Sequence, residues 1–125
     1  FFAAKGRDYS IMISDSLRAK HCPPGGEYEL GGHPIEIRDN GLAYLKGTDT
    51  IAGSTLHINR GLRLLVEEAL VPFDAALNAC TINPARCLRV DDHKGRLAAG
   101  YDADLVVLED NYDVCQTYCK GKAML

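Results

Sequence analysis

The sequence predicts an α/β fold, and three patterns support that prediction. A short apolar run at residues 10–14 is typical of a strand buried on both faces, as in a parallel sheet. Between Ile58 and Ala69 the apolar residues recur at helical spacing. A second continuous apolar run, Leu105–Leu108, again favours a strand. Strands therefore precede and follow a helical region.

The first strand is followed by a predicted loop and a small meander of strands. The loop covers residues 16–26, where consecutive prolines and glycines exclude regular structure. Three short strands follow, separated by the turns Gly31-Gly32 and Asp39-Asn40-Gly41: they are Tyr28–Leu30, residues 35–38 and Leu42–Leu45. Residues 46–53 are expected to form a loop.

Three helices and a closing set of strands are expected in the second half. Ser54 or Thr55 is predicted to cap the first helix, whose apolar stripe is Ile58, Leu62, Leu65, Val66 and Ala69. The second helix opens at Pro72, and Asn83 is expected to cap the third, with Pro84 at its first position. Gly95 and Gly100 bracket a turn before Leu105–Leu108, and Val114–Cys119 with residues 123–125 suggests a closing hairpin.

Charge and composition exclude several classes of function. The 125 residues carry 14 Lys+Arg and 17 Asp+Glu, a net charge of −3. Without a basic block, this balance argues against a nucleic-acid or anionic-membrane partner. No apolar run approaches the roughly 18 residues of a membrane span, and no signal-peptide pattern is seen. We therefore expect a soluble, cytoplasmic protein.

Two further features concern the thiols and the first residues. The five cysteines are odd in number and lack a framework-like spacing, so reduced thiols without a disulfide are expected. Cys115 and Cys119 lie four apart, which in a strand places them on one face and favours packing. The chain opens with Phe1 and Phe2, not Met, and a buried-type strand follows at once. We expect a fragment of a larger enzyme.

Asp15 is the first candidate for chemistry. A carboxylate directly after a buried parallel strand lies at the carboxyl edge of the sheet, where α/β folds build active sites. The alternative is an ordinary turn or cap aspartate.

Residues 50–55 are a second candidate, because a small glycine-containing loop that enters a helix offers backbone N–H groups to a polar ligand. In the alternative reading Gly53 only makes the turn.

The histidines do not form a metal motif. His21, His33, His57 and His93 are widely separated, with no H-x-H and no pair at i, i+4. A metal site needs several convergent ligands, so none is predicted within this chain. Each histidine is expected at the surface or in a turn, and His57 alone lies near a plausible site. Dinucleotide, P-loop, GxSxG and HExxH patterns are also absent.

Two motifs resemble the amidohydrolase superfamily. Its closing signature is matched by Gly95-x-Leu97-x-x-Gly100-x-x-Ala103-Asp104-Leu105-Val106-Val107, and its helix-break motif by Thr81-Ile82-Asn83-Pro84-Ala85-Arg86. A narrower series is similar to the C-terminal part of the N-acetylglucosamine-6-phosphate deacetylase family: it is Ser14-Asp15, Tyr28-Glu29-Leu30-Gly31-Gly32, Ile51-Ala52-Gly53-Ser54-Thr55-Leu56 and Gly61-Leu62-Arg63-x-Leu65-Val66.

The resemblance implies a fold and its division. The chain would be the C-terminal part of a TIM-like (β/α)8 metal-dependent hydrolase barrel, with strands of a small β-sandwich domain. Residues 1–94 would hold the last barrel strand, the inserted meander and the following helices. Residues 95–125 would supply strands of the β-sandwich. The full-length protein would pair as a homodimer.

The resemblance also implies roles for a few residues. Asp15 matches the aspartate that ends the eighth barrel strand and serves as general base and acid. Ile51, Ala52 and Gly53 match a segment that contacts the amino-sugar phosphate substrate. The metal ligands, a Glu and two His that would hold zinc or iron, have no counterpart in this chain. His57 stands where relatives have a small polar residue and receives no role.

Three hypotheses follow. The parent protein would be a metal-dependent deacetylase that converts N-acetylglucosamine 6-phosphate to glucosamine 6-phosphate and acetate. It could instead be another amidohydrolase that acts on cyclic amides. In the third hypothesis the 125 residues alone are an inactive truncated chain or an interaction module without metal, and for the isolated chain we expect inactivity.

Overall fold

A computed structural model describes residues 1–22 and 25–124. The chain divides into two compact units, Ser14–His57 and a second unit formed by Phe1–Ile13 with the chain from Ile58 onward. We call the first the meander unit and the second the helical unit. None of the helices in the described ranges combines the length and apolar character that a membrane crossing requires.

The meander unit is a four-stranded antiparallel sheet. Its strands, in the spatial order β1-β2-β3-β4, are β1 (Tyr28–Leu30), β2 (His33–Ile37), β3 (Leu42–Leu45) and β4 (Ile51–Ser54). A 3-10 helix, Arg18–His21, precedes the sheet within the segment 16–26, for which only a loop is predicted; residues 23 and 24 of that segment lie outside the described residues. The buried apolar residues of the meander unit are Ala19, Ile35 and Ala43. The predicted meander is confirmed, because its turn signals are local and alternation fixes which residues face inward.

The fourth strand was not expected. Residues 51–53 were predicted to end a loop, but β4 pairs with β3 through Leu42↔Ser54 and Ala43↔Gly53, with a bulge between Ala43 and Tyr44. The sequence Ile51-Ala52-Gly53-Ser54 does not alternate apolar and polar residues, so pairing with β3 decides its conformation. The prediction that Ser54 or Thr55 caps the next helix is also wrong, since that helix begins at Ile58.

The helical unit packs its helices around a small apolar core. Its helices are α1 (Phe2–Lys5), α2 (Ile58–Glu67), α3 (Phe73–Cys80) and α4 (Ile82–Leu88). Leu62 of α2 is buried against Val71, Ala75 and Ala76, and Leu65 and Val66 pack against the same cluster. The middle of the predicted stripe is therefore confirmed as the packing face of α2. Its two ends are not, since Ile58 is 40% exposed and the exposed Ala69 lies beyond the end of the helix at Glu67. Burial raises the pKa of the Cys80 thiol, which lies beside this core.

The C-terminal strands form a separate three-stranded antiparallel sheet of β5 (Leu105–Leu108), β6 (Val114–Cys119) and β7 (Lys122–Met124). Lys120 and Gly121 make the turn between β6 and β7 with φ of 50° and 77°. This two-residue turn with both φ angles positive suits the twist of a hairpin. The closing hairpin is confirmed, and the domain boundary between residues 94 and 95 stays a prediction.

The strand predicted at residues 10–14 is not formed. In the described chain this segment belongs to no sheet: the Met12 N–H donates to the Ala79 carbonyl at 2.9 Å. Ile11 and Ile13 are 37% and 72% exposed, so the segment is not buried on both faces. A parallel strand exists only where a neighbouring strand supplies a ladder of hydrogen bonds, and within residues 1–22 and 25–124 no strand pairs with this segment.

Asn83 has a different role from the predicted helix cap. It is the second residue of α4, Pro84 is the third, and Thr81 precedes the helix. The Asn83 side chain is buried and its amide donates to the carbonyls of Arg7 at 2.7 Å and Ser10 at 2.8 Å. The polar residue is therefore used to hold the first residues of the chain against α4, because buried carbonyls need donors.

Candidate functional site

Asp15 lies in the meander unit with an exposed side chain. Within residues 1–22 and 25–124, no hydrogen bond or ion pair engages its carboxylate. Its backbone has φ of 47°, in the left-handed region that side chains other than glycine rarely adopt. Aspartate tolerates this region better than most residues, at a cost of about 1–2 kcal/mol. The carboxylate is thus available to an incoming group, on a backbone that must be held in place.

Strand β4 holds the backbone around Asp15. The Ser54 N–H donates to the Asp15 carbonyl at 2.8 Å, and the Leu17 N–H donates to the Ser54 carbonyl at 2.9 Å. These two bonds form an isolated parallel bridge between Ser16 and Ser54. The Ser54 hydroxyl also donates to the Ser14 carbonyl. One residue of β4 therefore contacts the chain before, at and after Asp15.

Gly53 permits this close approach. A Cβ atom at Gly53 would lie 2.9 Å from the Leu17 side chain and 3.0 Å from the Asp15 carbonyl oxygen. Its φ of 146° is also one that side-chain-bearing residues rarely adopt. Both observations explain why glycine occupies this position. The structure thus brings Gly53 and Asp15, two of the predicted site residues, together.

The other two predicted substrate contacts, Ile51 and Ala52, lie further along β4. Ile51 pairs with Tyr44 and is 58% exposed. Ile51 is three positions from Ser54 along the strand, a distance of about 10 Å. The interpretation of residues 50–55 as a loop entering a helix is wrong, because residues 51–54 are a strand. Contact of Ile51 and Ala52 with the substrate stays a prediction.

His57 makes a contact that the sequence did not indicate. Its ring meets that of His21 edge to face, with the centroids 5.5 Å apart and the planes at 69°. Both side chains are exposed. No pattern linked these two histidines, because the contact depends on where β4 ends relative to the 3-10 helix Arg18–His21.

No metal centre is formed by the residues that the structure describes. Residues 1–22 and 25–124 contain no group of three or more His, Cys, Asp or Glu that could hold a metal ion. The His21–His57 pair supplies only two imidazoles, whereas a catalytic metal usually takes three protein ligands. The side chains that the structure describes therefore do not fit a catalytic metal site.

An open cleft of about 500 Å³ lies elsewhere in the meander unit. Its walls include Arg18, Lys46 and Glu27, and the Lys46 ammonium pairs with the Glu27 carboxylate at 3.5 Å. The residues that line it do not include Asp15 or Gly53. This cleft is thus distinct from the predicted catalytic position.

Comparison with known proteins assigns the chain to a family. The model of the amidohydrolase family matches residues 33–124, most of the chain. The chain belongs to the amidohydrolase family. The resemblance predicted from the Gly95–Val107 and Thr81–Arg86 motifs is therefore confirmed.

Several relatives of this amidohydrolase chain are known. An N-acetylglucosamine-6-phosphate deacetylase of Bacillus subtilis (strain 168) is 38% identical over 120 residues, which are 96% of this chain and 30% of that protein. The deacetylase of Danio rerio is 36% identical over 113 residues, or 90% of this chain and 27% of that protein. The narrower resemblance to this deacetylase family is confirmed, and the chain spans about 30% of such a relative's length.

Solved structures agree with the sequence relatives. The N-acetyl-D-glucosamine-6-phosphate deacetylase of Mycobacterium smegmatis superposes with a TM-score of 0.89 and 32% identity, covering 99% of this chain and 33% of that one. A mutant of the M. smegmatis enzyme in complex with N-acetyl-D-glucosamine-6-phosphate gives a TM-score of 0.87 at 33% identity, covering 98% and 32%. The mixed α/β fold of this amidohydrolase chain therefore matches about a third of a deacetylase structure.

Sequence reasoning missed Ser54 as the residue that contacts the Asp15 segment. The pattern around it suggested a helix cap, because serine before an apolar helix is typical of that role. Its hydroxyl instead donates to a carbonyl 40 positions earlier in the chain. In this amidohydrolase chain the motif residues 51–54 act as a strand beside Asp15, and only the tertiary structure shows it.

Proposed function

We propose that the full-length protein that contains this chain hydrolyses the acetamide bond of N-acetylglucosamine 6-phosphate. The products are glucosamine 6-phosphate and acetate. The observation that supports this proposal is similarity to N-acetylglucosamine-6-phosphate deacetylases over 96% of the chain, at 38% identity. A structural relative holds N-acetyl-D-glucosamine-6-phosphate, which supports the same class of substrate. The TIM-like barrel and the β-sandwich are part of the proposal for the whole protein.

Asp15 carries the proton in the proposed reaction. Its carboxylate accepts a proton from the water molecule that attacks the acetamide carbonyl carbon. The C–N bond then breaks, and Asp15 returns the proton to the departing amine. Water and amide are consumed, and acetate and amine are formed, so the carboxylate ends as it began. An exposed carboxylate without a partner in the described chain suits this exchange, since no cation competes for it.

The substrate would lie along β4. We assign substrate contact to Ile51, Ala52 and Gly53, as the resemblance implies. The exposed Ile51 side chain offers an apolar surface, and Gly53 lies beside the Asp15 carbonyl. This arrangement would place the amino sugar across a strand that is itself bonded to the Asp15 segment, which fixes the distance between substrate contact and base.

A metal is part of the proposal only for the whole protein. Amidohydrolases generally depend on a divalent metal, and we propose zinc or iron with ligands outside residues 1–125. The described side chains do not fit a metal centre, so no step above passes through one. A homodimer and a cytoplasmic location are likewise proposed for the full-length protein, on the resemblance and the composition.

The test measures acetate release from N-acetylglucosamine 6-phosphate by the full-length protein and, in parallel, ring opening of a cyclic amide by the same protein. We expect turnover of the amino-sugar phosphate only. The variant Asp15→Asn, which keeps the shape but cannot take a proton, should lower kcat by about 10²–10⁴-fold. Asp39→Asn, at an exposed turn residue of the same unit, is the matched control and should keep its activity. Turnover near wild type in D15N would show that Asp15 has only a structural role.

A further inference from the structure

Ser54 contacts the Asp15 segment with both its backbone and its side chain. Its N–H donates to the Asp15 carbonyl at 2.8 Å and its carbonyl accepts from the Leu17 N–H at 2.9 Å. Its hydroxyl donates to the Ser14 carbonyl and accepts from the Leu56 N–H at 3.1 Å. The residue is only 6% exposed. All four groups that it can offer are therefore used, and three of them act on residues 14–17.

The backbone at Asp15 needs such support. Its φ of 47° is unfavourable for a residue with a Cβ atom. A conformation of this kind persists only where the surroundings determine it from more than one side. The backbone bonds of Ser54 restrain Asp15 and Leu17, and the hydroxyl restrains Ser14, on the opposite side of Asp15. The left-handed residue is thus held at both of its peptide groups.

We propose that Ser54 is a positioning residue for Asp15, whose hydroxyl fixes the direction in which the Asp15 carboxylate projects. This inference rests on the proposed function of Asp15 as the proton carrier. Ser54 does not touch the reacting atoms in this scheme and acts only through the backbone of residues 14–17.

The side chain of Ser54 is decisive, because its backbone bonds to Asp15 and Leu17 do not depend on which side chain stands at position 54. Alanine at this position keeps the bonds to Asp15 and Leu17 but removes the donor to Ser14. The peptide group between Ser14 and Asp15 is then free to rotate. Its rotation changes φ of Asp15, because ψ of Ser14 and φ of Asp15 flank the same peptide plane. A displacement of about 1 Å in a catalytic group can lower the rate about 100-fold.

The experiment compares variants of the full-length protein. Ser54→Ala should lower kcat for acetate release about 10- to 100-fold with KM changed less than about 2-fold. Ser54→Thr retains the hydroxyl and should recover most of the lost kcat. The matched control is Thr55→Ala, which removes a hydroxyl that donates to the Gly41 carbonyl at 3.1 Å, away from residues 14–17. It should keep kcat near wild type.

Each outcome separates this inference from the proposed function. If D15N loses turnover while S54A keeps wild-type kcat, the role of Ser54 is wrong and that of Asp15 stands. If D15N keeps turnover, both are wrong. A loss of kcat equal in S54A and T55A would mean general destabilisation and would overturn the positioning role. Should S54A fail to fold, Ser54→Cys decides: its weak donor should lower kcat at unchanged KM, and wild-type kcat would overturn the proposal.

Discussion

Gly53 shows how a single residue without a side chain controls the candidate site. It lies between Ile51–Ala52 and Ser54, so it links the proposed substrate contacts to the residue bonded to Asp15. Its hydrogen atom leaves room for the Leu17 side chain and the Asp15 carbonyl, both within 3.0 Å of where a Cβ would be. The approach of β4 to residues 15–17 therefore depends on this glycine.

Replacement of Gly53 tests that dependence. Gly53→Ala should push β4 away from Asp15, because both the φ of 146° and the close contacts oppose a methyl group. We expect destabilisation of about 1–3 kcal/mol from overpacking, together with at least a tenfold loss of kcat. Gly47→Ala is the control: φ is 75° there but nothing lies within 4 Å of a Cβ. It should lower the melting temperature slightly and leave kcat unchanged, and equal losses in both variants would contradict the argument.

Prediction from the sequence succeeded at residues whose conformation is set by near neighbours. Asp39, Asn40 and Gly41 make a turn almost regardless of context, and β3 follows at Leu42 as expected. The sequence predicts a helix cap at Asn83 and at Ser54 or Thr55, whereas the side chains of Asn83 and Ser54 instead donate to carbonyls far away in the chain. A polar side chain near a helix start has several uses, and only the folded chain decides among them.

At the scale of elements, a lysine joins the turn region after α4 to the C-terminal sheet. The Lys94 ammonium donates to the Asp102 carboxylate at 2.7 Å and also to that of Asp104. The second Asp104 oxygen accepts the Lys120 N–H at 2.8 Å, at the turn between β6 and β7. The lysine lowers the pKa of both carboxyls, mainly through these hydrogen bonds. The ion pairs thus tie the entry to β5 to the hairpin that follows it.

This arrangement gives a pH-dependent stability. A lowered carboxyl pKa contributes stability above the unfolded value of about 3.9, and the contribution is lost as the pH falls through the lower, folded value. Lys94→Met should therefore melt earlier than wild type at pH 7, with the difference shrinking below about pH 4. Lys122→Met removes the same charge from an exposed strand residue and should show a smaller difference. A gap between K94M and wild type that is constant from pH 7 to pH 3 would contradict this account.

Elements also show why the first strand was mispredicted. Residues 10–14 have the composition of a buried strand. Composition indicates that such a segment needs a neighbouring strand, but it does not indicate which one. In the described chain the segment instead bonds to Ala79 and leaves Ile13 mostly exposed. The strands of the meander succeed because their partners are the next strands along the chain. Short-range pairing could be predicted, and pairing with distant strands could not.

At the scale of the whole molecule, the chain spans about 30% of such a deacetylase's length and holds one candidate proton carrier. Residues 1–22 and 25–124 provide no three-ligand metal cluster. In the proposed reaction the acetamide carbonyl must be activated and held in place, and a carboxylate alone does neither. We therefore propose this activity for the full-length protein and expect the isolated chain to be inactive.

The isolated 125-residue chain should release no acetate from N-acetylglucosamine 6-phosphate, whereas the full-length protein should release it. Elemental analysis after dialysis should find less than about one tenth of an equivalent of zinc or iron in the chain, because a stable site takes several convergent ligands. The full-length protein, purified in the same way, is the control. Stoichiometric metal in the isolated chain would contradict the assignment of the ligands to residues outside it.

The division of the chain into units has a consequence for its synthesis. The meander unit is one continuous stretch, whereas the helical unit joins residues 1–13 to the chain from Ile58 onward. The Asn83 amide that holds Arg7 and Ser10 is made 73 positions after Ser10. At about 5–20 residues per second, a ribosome needs roughly 4–15 s to add that stretch. During those seconds the meander sheet can form. The apolar side chains of residues 1–13 stay exposed until α2, α3 and α4 have been synthesised, and chaperones can bind them in that interval.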